Sequence, residues 1–460
     1  MTFSEYLGNL KGKRVVVIGA GISNTPLIGA LLAAGIETTV CDRQTREEIG
    51  DSVKQFEDIG AKLKLGDNYL DNLEADIIFR TPGLMPWRAE LREAALRGAE
   101  LTSEMEAFFD VCPCKIIAVT GSDGKTTTTS IIAEMLKREG KTVHVGGNIG
   151  APLLCRADEM GPDDIAVIEL SSFQLITMKK SPDVAVVTNV TPNHLDIHSK
   201  LEEYIEAKRN IYIHQDSGCR AVFNFDNEAT RRFAQSAPGE VLFFSRRDKL
   251  RDGVYEDSGT IFGAKNGHSE EIMPSSGILL PGAHNIENYM AAFAAARGFA
   301  GYASMLETAK TFNGVPHRIE LVRELRGVKF YNDSIATSPV RTIAGLRSFD
   351  QRVVLIAGGK DKGVEFDELG AEIAKHVKRL VLTGKTADTI QKAVTKAPGY
   401  TGMPEIIMCE DFEDAVLAAA SSAGDGDIVL LSPASTSFDR FKNFEERGDR
   451  FKEIVNGIES

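Results

Sequence analysis

Lys125 and Thr126 stand directly behind a tight glycine turn, Gly121-Ser122-Asp123-Gly124, in the stretch KIIAVTGSDGKTTTT that runs from Lys115 to Thr129. A lysine amine offers a point charge to phosphate, and a threonine hydroxyl is a hard oxygen suited to Mg²⁺. Loop N–H groups at a helix start cradle anionic oxygens. Together they could bind and polarise a nucleoside triphosphate. The position five before Gly124 is Val119, not glycine, so the spacing departs from the standard phosphate loop and a helix-capping turn is the competing reading. The flanking elements favour the nucleotide. Ile116–Val119 is an apolar run of strand length, and SIIAEMLKREG after the threonines repeats its apolar residues at helical period.

Other groups with chemistry also follow predicted strands. Ile165–Ile168 ends in Glu169, where an acid can hold Mg²⁺ directly or through water, or can simply be an edge-of-sheet glutamate. Val184–Val187 runs into TNVTPNHLD, which puts His194 at the same predicted edge. TVHVGGNIG is a strand and a glycine turn carrying Asn148. Lys208, within EAKRNIY, has the pattern of a surface lysine. Asn285 and Asn288 are one helical turn apart in HNIENYMAA; they face one way and read either as base or phosphate contacts or as caps.

The elements that must position these groups alternate strand and helix along the chain. RVVVIG leads into Gly19-Ala20-Gly21-Ile22-Ser23-Asn24, a helix pattern, and a strand ending in Asp42. This resembles the first half of a dinucleotide-type βαβ unit, with Asn24 where the third glycine would stand. A nucleotide or sugar-nucleotide domain is expected, and Asp42 is either a ligand or a turn acid. Ala75–Phe79 is a strand with Thr81-Pro82-Gly83 at its C-terminal end, and 88–110 is helix-rich. The stretch 240–280 has short β pieces. In the last part, NDSIATSP, GGKDKG and SPASTSFD each follow an apolar strand, and an amphipathic helix closes the chain from about 440. The expected fold is α/β in three domains: residues 1–108 Rossmann-like, 109–314 a phosphate-loop ATPase type with a mixed sheet, and 315–460 Rossmann-like.

A formal net charge of −13 over 460 residues argues against non-specific binding to nucleic acid or an anionic membrane. Phosphorylated ligands must then be held by local groups. The N-terminal MTFSEYLGNLKGKR lacks an apolar signal core and no apolar stretch is long enough for a bilayer, so a cytoplasmic protein is expected. Of six cysteines, Cys112-Pro-Cys114 is too short for a usual zinc knuckle and reads as incidental.

The motifs TGSDGKTTTT, GGNIG, ELSSFQL, TNVTPNHLDIH, EAKRNIY, GAHNIENYMAA, VPHRIE, NDSIATSP, GGKDKG and SPASTSFDRFKNFEERG resemble those of the Mur ligase family, and with GAGIS and Asp42 the likeness covers nearly the whole chain. NDSIATSP and the closing motif are similar to those of the member that adds D-glutamate to UDP-N-acetylmuramoyl-L-alanine. The resemblance implies an ATP-dependent amide ligase of peptidoglycan precursor synthesis, monomeric, with no nucleic-acid or membrane partner. It implies that Gly121, Ser122, Asp123, Gly124, Lys125, Thr126 and Thr127 hold the ATP phosphates. Two Mg²⁺ are implied, one on Thr126 and Glu169, the other on His194 and a carbamylated Lys208. Lys125, His194 and Lys208 would be catalytic. Asn285, Asn288, Arg318 and Asp333 would contact adenine and ribose. Ser23, Asp42, Arg43, Thr81, Gly83 and Asn148 would line the UDP-muramoyl path. Thr337, Lys362, Ser437, Phe438 and Phe444 would hold D-glutamate.

Three residues depart from the family pattern: Asn24, Thr81 where serine is common, and Ile335 where many relatives have lysine. The last removes a cation and leaves Lys362 to neutralise the incoming carboxylates. Competing readings are another Mur ligase or a folylpolyglutamate synthase, an NAD-dependent oxidoreductase built on GAGIS and Asp42, and a non-catalytic ATP-binding regulator. The oxidoreductase leaves the phosphate loop and everything after 320 unexplained.

Overall fold

The computed structural model describes residues 1–21, 23–191, 201–360 and 364–459. Ile22, the stretch 192–200 with His194, the stretch 361–363 with Lys362, and Ser460 lie outside the described residues. Within them the strands form three sheets, each flanked by helices, an α/β protein.

The first sheet contains β1 (Val15–Ile18), β2 (Thr38–Asp42), β3 (Lys62–Leu65), β4 (Ile77–Phe79) and β5 (Glu100–Thr102) in the order β3-β2-β1-β4-β5, parallel throughout. β1 is buried at all four positions, as its unbroken β-branched run requires of a strand covered on both faces. The chain winds outward from β1 in both directions. The strand order therefore reverses between β1 and β4, whose C-terminal ends are the position at which open α/β sheets bind ligands.

The second sheet comprises β6 (Lys115–Thr120), β7 (Val143–Gly147), β8 (Ile165–Glu169), β9 (Val184–Val187), β10 (Arg220–Asn224), β11 (Glu240–Ser245), β12 (Gly253–Asp257), β13 (Thr260–Lys265) and β14 (His268–Pro274). Its order is β14-β13-β12-β11-β10-β9-β6-β8-β7. Pairing is parallel from β7 to β12 and antiparallel across β12-β13-β14, so the sheet is mixed. β6 lies between β8 and β9, which brings the loop after β6 beside Glu169 and beside the segment after Val187.

The third sheet contains β15 (Glu320–Leu325), β16 (Val328–Asn332), β17 (Val353–Ala357), β18 (Val377–Leu382), β19 (Glu405–Met408) and β20 (Ile428–Leu431), ordered β15-β16-β20-β17-β18-β19. Only β15 runs antiparallel. No helix among the described residues is long and apolar enough to cross a membrane.

The chain folds into two compact units. One holds Met1–Gly277 and His284–Lys310; the other holds Ile278–Ala283 and Thr311–Ser460. The first two sheets share a unit because one apolar cluster runs through both. Val15, Val17 and Phe79 of the first sheet join Ile116 and Ala118 of the second through the helix Glu104–Val111, which buries Met105, Ala107, Phe108, Phe109 and Val111. Ser103 caps that helix by accepting from Glu106 N. Phe108→Ala is expected to destabilise this unit by about 3–5 kcal/mol, read as a lower denaturant midpoint. A shift under about 1 kcal/mol would show that the cluster can collapse around the lost ring.

Candidate functional site

The loop after β6 is shaped by two glycines with left-handed φ values, Gly121 at +154° and Gly124 at +80°. A Cβ on Gly121 would lie 1.8 Å from Thr188 Oγ1, and one on Gly124 would lie 2.3 Å from Asn288 Oδ1. Neither position admits a side chain. The segment after β9 clamps the loop: Ser122 N donates to Asn189 O (2.9 Å), Asp123 N to Asn189 Oδ1 (2.9 Å) and Thr188 Oγ1 to Asp123 O (2.6 Å). With those two N–H groups taken by Asn189, the anion-facing donors belong to the start of the helix Lys125–Arg138. Lys125 Nζ lies over the loop, 3.1 Å from Gly121 O and 2.9 Å from Ser122 O. Thr126 is buried beside it, and Thr127 is half-buried.

Glu169 closes β8 beside this loop and is only 1% exposed. Its Oε1 accepts from Asn148 Nδ2 at 2.8 Å, and its backbone carbonyl accepts from Asn148 N at 2.8 Å. Its Oε2 is buried without a hydrogen-bond partner among the described residues. A buried carboxylate oxygen left unpaired is costly, and a hard cation would satisfy it. Asn148, expected on the UDP-muramoyl path, thus orients this carboxylate.

Lys208, with its surface-like pattern, is 1% exposed. Its Nζ donates to Gly121 O at 2.8 Å and to Thr120 Oγ1 at 3.4 Å, and it sits 4.5 Å from the centre of the Tyr204 ring. Burial, reinforced by the charge of Lys125, holds its amine well below the ordinary lysine value. The helix Leu201–Arg209 carries it in from the sequence position after the clamp.

Asn285 and Asn288 are both buried in the helix Ala283–Ala296. Asn288 Nδ2 donates to Asn285 Oδ1 at 3.1 Å, and Asn288 Oδ1 accepts from Thr128 Oγ1 at 3.3 Å. Asn288 is therefore mid-helix and fastened to the phosphate helix. It is not a cap.

At the first sheet, Asn24 supplies what a third glycine would not. Its side-chain amide is buried and donates to Ile18 O and Gly19 O, both at 3.1 Å, so it ties the turn to the end of β1. Asp42 Oδ2 accepts from Ala20 N at 2.7 Å and Oδ1 from Gln44 N at 2.9 Å. A Cβ on Gly19 would lie 3.1 Å from Thr81 Cβ, so the loops after β1 and β4 touch there. Ser23, Arg43 and Gly83 are exposed along this rim. The fully buried Arg80, which pattern reasoning passed over, braces the rim: its guanidinium donates to Pro82 O and Leu84 O (both 3.3 Å), Phe173 O (3.0 Å) and Thr177 Oγ1 (2.8 Å).

In the second unit the loops after β16, β17 and β20 meet at one sheet edge. Gly358 N donates to Pro433 O (2.9 Å) and Lys360 N to Thr436 O (2.8 Å). Arg447, on the helix Phe444–Gly457, is buried across two of these loops and donates to Ser334 Oγ (3.0 Å), Ser334 O (2.9 Å) and Ser435 O (3.1 Å). Burial lowers its guanidinium to about 10. Nothing in its spacing announces this role. Thr337 and Ser437 lie on the same loops; Phe438 is 61% exposed, and the Phe444 ring stands edge-on to His317 at 6.0 Å. Asp333 is buried behind them, accepting from Ser432 Oγ at 2.8 Å. Burial pushes its carboxyl up to about 7, against the Ser432 bond and the charge of Arg318.

Two family models match this chain, the Mur ligase middle domain over residues 119–296 and the Mur ligase glutamate ligase domain over 317–435. Across its full length the chain is 51% identical over 463 residues to the UDP-N-acetylmuramoylalanine--D-glutamate ligase of Acetivibrio thermocellus, covering 99% of each chain. The enzyme of that name from Ruminiclostridium cellulolyticum is 48% identical over 458 residues, covering 99% of this chain and 98% of the relative. The chain belongs to the Mur ligase family. Its fold is also that of solved family members. UDP-N-acetylmuramate-alanine ligase MurC from Thermotoga maritima superposes with a TM-score of 0.56 at 18% identity, covering 96% of this chain and 99% of that one. A UDP-N-acetylmuramoyl-L-alanyl-D-glutamate--2,6-diaminopimelate ligase gives 0.54 at 17% identity, covering 92% and 93%.

In this Mur ligase the first unit brings together Lys125, Thr126, Asn148, Glu169, Lys208 and Asn288; the second brings together Asp333, Thr337 and Ser437 with Arg447. His194 and Lys362 lie outside the described residues. Asp333 carries a pH signature. Folding favours its neutral form, so its contribution to stability is full below the ordinary carboxylate range and is lost as pH rises through about 7. The urea unfolding free energy should fall on the order of 3 kcal/mol more between pH 4 and 8 in the parent than in Asp333→Asn. Parallel pH profiles would contradict this.

Proposed function

We propose that this Mur ligase joins D-glutamate to UDP-N-acetylmuramoyl-L-alanine at the expense of ATP, in peptidoglycan precursor synthesis. The observation that carries the reading is the 51% identity to a D-glutamate ligase across the whole length of both chains. The closing SPASTSFDRFKNFEERG and NDSIATSP support the same amino acid.

A carboxylate is a poor electrophile because its oxygen is a poor leaving group. The alanyl carboxylate attacks the γ-phosphoryl of ATP, ADP departs, and an acyl phosphate results. The D-glutamate amine then attacks the acyl carbon, and phosphate leaves from the tetrahedral intermediate. Negative charge spreads over phosphoryl and acyl oxygens, and the helix start with Lys125 is set to bind it. Glu169 and Thr126 suit one Mg²⁺, and His194 with a carbamylated Lys208 a second; bound there, the ions supply charge neutralisation at the transferring group. The chain's own part is placement: Asn148 orients Glu169, and the clamp at Thr188 and Asn189 holds the loop. Asn285, Asn288, Arg318 and Asp333 serve the adenosine end of ATP. The rim of Ser23, Asp42, Arg43, Thr81 and Gly83 serves the UDP-sugar. Thr337, Lys362, Ser437, Phe438 and Phe444 serve D-glutamate, with Arg447 holding the loops. Three functional domains, 1–108, 109–314 and 315–460, each bring one ligand, in a monomer working in the cytoplasm.

Lys208 is suited to carbamylation because only a neutral amine attacks CO₂, and its surroundings favour the neutral form. With ¹³C-bicarbonate, the protein should show a carbamate carbon signal that Lys208→Ala lacks, and the variant should lose most of its activity. A fully active Lys208→Ala would remove that role.

The substrate assignment is tested by phosphate release from ATP with UDP-N-acetylmuramoyl-L-alanine. Release should depend on D-glutamate, and Lys125→Ala should lower kcat by about 100-fold or more. Turnover that ignores D-glutamate and follows L-alanine or lysine would overturn it.

A further inference from the structure

The joint between the helix Glu104–Val111 and β6 is Cys112-Pro113-Cys114, and the fold converts this sequence neighbourhood into a sulfur contact. Cys112 Sγ lies 3.6 Å from Cys114 Sγ, at van der Waals separation. Residues two apart in an extended strand point to the same face but stand about 6.6 Å apart along it, too far for their sulfurs to rest in contact without a change of backbone. Here Cys112 sits at the C-cap of the helix with φ −59° and ψ 120°, and the chain turns before the strand begins. Pro113 holds its own φ near −65°, so little chain entropy remains to be lost on closing a ring across it.

We propose that Cys112 and Cys114 form a reversible dithiol–disulfide site, oxidised by thiol–disulfide exchange with a small or protein-borne disulfide. One thiolate attacks a sulfur of the external disulfide, an S–S bond to the protein forms, and the first external thiolate leaves. The second protein thiol gives its proton to water and attacks the protein sulfur of that mixed disulfide, expelling the second external thiolate. Two protein thiols are oxidised by two electrons, and one external disulfide is reduced to two thiols.

Access and ionisation are divided between the two thiols. Cys112 is half-buried, open enough for a reagent, whereas Cys114 is only 8% exposed and is shielded from stable capture. The Sγ–Sγ contact, which either thiol can donate, holds the Cys114 thiol below its ordinary value and, together with burial, pushes that of Cys112 up. The sulfurs must close from 3.6 Å to a bond of about 2.05 Å, a movement within reach of side-chain rotation. The ring is small and easily reopened by excess thiol. The site sits at the base of β6, the strand that carries the phosphate loop at its other end.

The test uses the full chain. Native protein is incubated with oxidised glutathione, quenched in acid, unfolded and alkylated with a maleimide, then weighed. Of the six cysteines, four should be alkylated, with no glutathione retained and the peptide containing 112–114 two hydrogens lighter. Dithiothreitol should restore six alkylations. Cys114→Ser, which cannot close the ring, should stop at a glutathione adduct on Cys112. Six alkylated cysteines after oxidation, a stable glutathione adduct on the parent protein, or a disulfide using another cysteine would each overturn the proposal.

Discussion

The loop between β6 and the helix Lys125–Arg138 closes only because two of its residues have no side chain. Thr188 occupies the place where a Cβ of Gly121 would be, and Asn288 the place where a Cβ of Gly124 would be. Each contact brings in another element: the segment after β9 through Thr188 and Asn189, and the helix Ala283–Ala296 through Asn288. Lys208 then fills the space under the loop and bonds the carbonyl of Gly121. The loop is thus the point at which distant stretches of the first unit are made to converge. Its backbone is held by neighbours before any ligand arrives, which reduces the ordering cost of binding.

Buried ionisable groups line the candidate site in both units. Glu169 and Lys208 in the first unit, and Asp333 and Arg447 in the second, are each almost wholly withdrawn from water. Burial disfavours the charged form of Lys208, Asp333 and Arg447, and each of them responds differently. Arg447 uses two carbonyls and a hydroxyl, which suits a planar group with five donors. Asp333 moves towards its neutral form, as does Lys208. Glu169 keeps one oxygen unpaired among the described residues.

Much of the fold was legible because parallel strands buried on both faces are short apolar runs. VVVI, IIAV, IAVI and VAVV each became a strand. The weaker ones were not. β3 reads KLKL, and β5 lies inside a stretch that otherwise patterns as helix; both take their conformation from pairing with a stronger neighbour. The mixed character of the central sheet followed from its run of short β pieces after 240. Of the candidate site, the residues next to glycine turns were visible, because a glycine turn between a buried strand and a helix leaves helix-start N–H groups free to face an anion. Spacing alone did not promote Lys208, which only the family resemblance singled out, since its helix shows an ordinary charged face and only packing against the loop after β6 buries the amine. Arg80 and Arg447 escaped for the same reason: each binds backbone carbonyls and one distant hydroxyl, a set of partners that spacing along the chain does not reveal.

Local chemistry was therefore decided by sequence alone: where a phosphate loop forms, which strands are buried, and which acids and amides stand at strand ends. These depend on residues within one or two turns of each other, where spacing determines geometry. What only the tertiary structure decided is which of those groups meet and in what state of burial. The burial of Lys208 under the loop, the meeting of Thr188 and Asn288 with the loop glycines, and the burial of Arg80 and Arg447 all depend on how distant elements pack. Desolvation and close contact are properties of three-dimensional neighbours, and no spacing along the chain encodes them directly.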